Sequence, residues 1–161
     1  MKITIRQIRK LISETIEEKS DKNVNLDISP SLSRCRGMQD LIVEFCNYTS
    51  DILNIPRDMV NIKIVDDRES SGIRTTAYYN PNNHEVGVYG KNRAVVDVCR
   101  SIAHELTHMQ QMLENRISFP VQDVGGEIED EANARAGEII KSFAQSDESR
   151  KSIYEAISPL L

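Results

Sequence analysis

The sequence predicts a single α+β domain. Three observations carry this: strand-like patterns are confined to residues 60–89, helical periodicity fills the chain before and after them, and 161 residues fit one domain with its own core. Taken in order, Ile8, Leu11, Ile12 and Ile16 make one apolar stripe and predict a helix over about 3–19. Lys2, Arg6, Arg9 and Lys10 crowd its first half and Glu14, Glu17 and Glu18 its second, the reverse of what the helix dipole favours. Residues 1–19 are therefore expected to be a basic amphipathic helix or arm: on composition a helix packed on its own domain, with the charge order raising the alternative of an arm docked on a protein partner. Residues 20–33 carry Ser, Asp, Asn and Pro without periodicity and are expected to be a linker, with the domain itself spanning 34–161.

Met38, Leu41, Ile42, Phe45, Tyr48 and Ile52 are spaced for the buried face of a second helix over about 34–54, which Pro56 ends. Val60, Ile62 and Ile64 alternate with Asn61 and Lys63, as in a half-buried strand. Residues 75–79 and 84–89 flank Asn80-Pro81-Asn82-Asn83 and read as a hairpin. A long helix at about 93–115, a loop near Phe119-Pro120, a helix at about 126–145 and a short one at about 148–157 follow. The expected order is α-α-β-β-β-α-α-α, with a three-stranded sheet.

Composition narrows the function classes. Twenty Lys and Arg against 25 Asp and Glu leave a net charge of −5, and aromatics are 5% with no Trp. Neither a basic surface for nucleic acid nor a base-stacking platform is expected. No stretch approaches the roughly 18 apolar residues of a membrane span, and the first residues lack a signal-peptide core. Cys35, Cys46 and Cys99, with no CxxC spacing, suit a reducing compartment, so the expectation is a cytoplasmic protein without a membrane partner. Cys46 and Cys99 read as core residues; Cys35, between Arg34 and Arg36, invites the idea of a thiolate that caps a metal.

The chemistry is concentrated in His104-Glu105-Leu106-Thr107-His108. On a helix the two histidines fall one turn apart on one face and can converge on a single ion, while Glu105 sits beside that ion as a general base for a water. Val95, Val98, Cys99, Ile102, Leu106, Met109 and Leu113 occupy the opposite side. Downstream, Glu129 and Asn133 share a face of a second helix whose buried stripe is Ile128, Ala132, Ala136, Ile139 and Phe143.

At these residues the chain resembles the gluzincins, the thermolysin-type zinc metallopeptidases, and the short minigluzincins in particular. They pair HExxH with a later helix bearing Glu-x-x-(Ala/Ser)-(Asp/Asn), here Glu129-Asp130-Glu131-Ala132-Asn133. The resemblance covers about 60–145 and implies a zincin-like fold. It implies Zn²⁺ held by His104, His108 and Glu129, Glu105 as catalytic base, and Asn133 orienting the first histidine, although many members carry Asp there. It also implies an endopeptidase whose edge strand binds an extended peptide or protein substrate. Residue chemistry alone does not choose among Glu127, Glu129 and Glu131; register with Asn133 and the alanines selects Glu129. No oxyanion donor is identified, with His84, Tyr78, Tyr79, Tyr89, Arg93 and Arg135 as candidates. The rival is a non-catalytic binding or structural protein that keeps the zincin fold and its zinc. The first residues are weakly similar to the start of small tailed-bacteriophage proteins.

Overall fold

The computed structural model describes residues 22–32, 36–72, 75–118 and 126–155. The expected arm, Cys35, the Phe119-Pro120 loop and the end of the last helix lie outside the described residues. The elements are β1 (Asn25–Ile28), α1 (Arg36–Ile52), a 3-10 turn (Arg57–Met59), β2 (Asn61–Val65), a short α2 (Arg68–Ser71), β3 (Ala77–Asn80), β4 (Glu85–Tyr89), α3 (Val95–Leu113), α4 (Glu127–Ser146), a second 3-10 turn (Glu148–Lys151) and α5 (Ser152–Glu155).

The architecture is mixed α+β, as expected, but the sheet has four strands in the order β1-β2-β4-β3. β1, β2 and β4 are parallel, and β3 closes one edge antiparallel to β4. The added strand, β1, lies in the stretch expected to be a linker. Val24, Leu26 and Ile28 alternate there with Asn25 and Asp27, so the period-2 signal was present; it is short and framed by turn-forming residues. Pairing with β2 overrides the framing: Asn25 stands opposite Asn61, and their side chains hydrogen-bond at 3.0 Å.

One face of the sheet supplies Ile62, Ile64, Val86 and Val88 to the core, the pattern a one-sided sheet requires. Against that face α3 packs between the sheet and α4, and α1 packs on both helices. Phe143 of α4 meets Phe45 and Tyr48 of α1 edge-on, with ring centroids 5.2 and 5.4 Å apart. Leu113 and Ile52, expected in buried stripes, are 41% and 44% exposed, because each ends its helix beyond the reach of the core. Cys46 and Cys99 are buried free thiols, and burial pushes the Cys46 thiol up to about 12. Among the described residues no helix is long and apolar enough to cross a membrane.

Candidate metal centre

Among the described helices α3 buries the most residues. Val95, Val98, Cys99, Ile102, Ala103, Leu106 and Met109 are fully covered. What remains is a narrow polar face, on which His104 is partly exposed and His108 is buried. α4 crosses this face with its first turn, where Glu127, Glu129 and Asp130 sit favourably against the helix dipole. Ala132 and Ala136 are fully buried, so the two helices approach closely behind the site.

The structure brings His104, His108 and Glu129 together. His108 Nε2 lies 3.1 Å from His104 Nε2, His104 Nε2 lies 3.3 Å from Glu129 Oε2, and His108 Nε2 lies 3.3 Å from Glu129 Oε1. Ligand atoms about 2.0–2.1 Å from a tetrahedral zinc ion stand about 3.3 Å from one another; the two nitrogens are near that spacing, each of them meets it with a different oxygen of Glu129, and the donor types suit zinc. Glu127 is exposed, and Glu131 turns away to Arg116 and Gln111. Of the three competing carboxylates, Glu129 alone joins the histidines.

Hydrogen bonding at its far nitrogen sets which form of His108 faces the cluster. Nδ1 of His108 is 2.8 Å from Gln111 Oε1, and an amide oxygen can only accept. The proton of a neutral ring therefore sits on Nδ1, and Nε2 presents a lone pair to the Glu129 carboxylate. Two acceptors in contact repel unless something positive lies between them. A proton on His104 would have to work against burial: desolvation first, and then His108, hold this ring below the ordinary imidazole value, outweighing Glu129 and the hydrogen bond it makes to Asn133. That contact places Asn133 on the first histidine, in the position expected of it. Gln111, three residues beyond His108, is the participant sequence reasoning missed; its only signal is the i, i+3 spacing.

Glu105 is largely buried beside this group. Burial, with repulsion from the Glu129 carboxylate added, pushes it up to about 7. Metal-free protein then retains a proton that the unfolded chain releases near 4.5, so stability contributed at Glu105 falls as pH rises from there through 7. Relative to Glu105→Gln, metal-free parent protein is expected to lose on the order of 3 kcal/mol across that window. Urea unfolding of both proteins over a pH series measures this, and parallel profiles would refute it.

Four of the six candidates for an oxyanion donor hydrogen-bond elsewhere. Tyr78 donates to Glu85 at 2.5 Å, and Tyr79 pairs with His84 Nδ1 at 2.9 Å. His84 occupies a left-handed turn position (φ 52°) at the base of the β3–β4 hairpin, and the Arg68 guanidinium lies 4.3 Å above the Tyr89 ring. Arg93 donates to the Tyr89 and Asp97 carbonyls and to Ser101 Oγ, one turn before His104 and Glu105. Arg135 lies close enough to Glu131 to lower its carboxyl.

Comparison with protein-family models, with curated proteins and with solved structures gives no match in any of the three.

Proposed function

We propose that this protein is a small zinc-dependent endopeptidase of the gluzincin type, with a zincin-like arrangement of sheet and helices. The observation that carries the reading is the convergence of His104, His108 and Glu129 at 3.1–3.3 Å. The chain's own residues give each step a place. His104, His108 and Glu129 would hold the ion, and three protein ligands leave a position open, which supports catalysis over a closed structural site. When bound, zinc supplies Lewis acidity for a peptide carbonyl and acidifies water. Glu105 accepts the proton of the attacking water and returns it to the departing amine nitrogen. Asn133 and Gln111 hold the imidazoles in orientation. The outer edge of β3, at the end of the sheet nearest α3, offers backbone groups for an extended peptide.

Purified protein is expected to hold about one zinc per chain and to cleave members of a mixed peptide pool. Cleavage should stop on adding a strong chelator and return with Zn²⁺ but not Mg²⁺, because two imidazoles suit the softer ion. Zinc content by elemental analysis and cleavage by mass spectrometry check both points. Protein that takes up no zinc overturns the metal reading; protein that binds zinc tightly and cleaves nothing overturns the peptidase reading in favour of a binding role.

A further inference from the structure

We propose that Gln111, braced by Glu131 and Arg116, is the positioning residue that fixes the tautomer of His108 and locks that ring to the helix carrying Glu129. The inference rests on the reading of this site as a metal centre. Gln111 is fully buried, and every hydrogen-bonding group of its carboxamide is used. Its Nε2 donates to the Ile128 carbonyl at 3.1 Å and to Glu131 Oε2 at 3.0 Å, while its Oε1 lies 2.8 Å from His108 Nδ1.

The direction of the amide follows from its partners. A backbone carbonyl and a carboxylate can only accept, so the two N–H groups must face them and the oxygen must face the ring. Turning the amide over would set Oε1 against two other oxygens and lose both bonds. With Oε1 fixed as an acceptor, His108 must carry its proton on Nδ1, which leaves Nε2 as the lone pair turned toward His104 and Glu129. For packing alone, a leucine or methionine would fill this space at less desolvation cost.

The brace is itself held. Arg116 Nη1 donates to Glu131 Oε1 at 3.1 Å and Nη2 to Oε2, a two-point pairing that holds this carboxylate in place. The end of α3 delivers that guanidinium. Asn115 takes a left-handed conformation (φ 57°), its N–H donates to Met112 O at 2.9 Å, and the Arg116 N–H donates back to Gln111 O at 2.8 Å. This double closure turns the chain toward α4. Ile128 and Glu131 flank Glu129 on α4, so a single buried side chain sets the ring and also the helix that bears the third carboxylate.

The test reads the tautomer directly, in metal-free protein held above the pH of imidazole titration. Long-range ¹H–¹⁵N correlation of the side chains separates an Nδ1–H ring from an Nε2–H ring. The parent is expected to show His108 as Nδ1–H; Gln111→Met, similar in volume without an acceptor, is expected to shift it to Nε2–H. Zinc affinity, measured by chelator competition, should fall about 10–100-fold in the same variant. Glu131→Ala, at a residue whose side chain is 26% exposed, carries the test if Gln111→Met does not fold, and it is expected to move both readouts the same way by less. An Nε2–H ring in the parent, or an Nδ1–H ring kept in the variants, overturns the proposal. Failure of the metal reading looks different: the parent would then take up no zinc while the tautomer still followed Gln111.

Discussion

Glu105→Gln is expected to reduce peptide cleavage by about 10²–10⁴-fold, the range for loss of a positioned general base, while zinc content stays at that of the parent. The separation of the two readouts follows from where Glu105 stands. It is on the polar face of α3 next to His104, largely buried, and close enough to Glu129 for the two carboxylates to repel, yet it is not among the three groups whose ligand atoms converge. Glutamine matches its shape and removes only the ability to take a proton. Turnover on a peptide that the parent cleaves, together with elemental zinc analysis of both proteins, decides the point. Equal turnover in the two would remove Glu105 from the chemistry.

The second large effect is on metal binding. Glu129→Ala is expected to weaken zinc affinity by more than the roughly 100-fold that bounds the loss of an outer partner, because it deletes both a ligand bond and an anion facing a dication. Glu127→Ala is expected to keep parent-like affinity, since positions two apart on a helix differ by about 200° and Glu127 is exposed. Glu131→Ala falls between them, acting through Gln111. Competition with a chromophoric chelator ranks the three variants. Parent-like affinity in Glu129→Ala would mean that α4 meets α3 in another register.

Much of this arrangement was legible in the sequence. The periodicity of α1, α3 and α4 is strong because each buries a broad stripe, and the hairpin is announced by its Asn-rich turn. His104, His108 and Glu105 are readable because helix geometry alone puts them together. Glu129 needed the likeness to another family, and its meeting with the histidines depends on how α4 lies across α3, which no local pattern encodes. β1 escaped notice because four residues at a sheet edge alternate too briefly to outweigh Ser, Asp and Pro around them. Gln111 escaped for a different reason: a buried carboxamide has no periodic signature, and its role exists only once Ile128 and Glu131 have come within reach.

The contrast between sheet and site has a consequence for how the molecule assembles. β1 pairs with β2 only across the whole of α1, and β2 with its other neighbour β4 only across the β3 segment, so each parallel pair demands closure of a loop before any reward. His104, Gln111, Glu129 and Glu131 belong instead to one short run of chain, two helices in succession. The closure between β1 and β2 is longer than that of the helix pair or of β2 with β4, so loop-closure entropy favours β1 joining last. During synthesis β1 emerges before the other three strands, and the edge it will pair stays uncovered until α1 and then β2 have followed it.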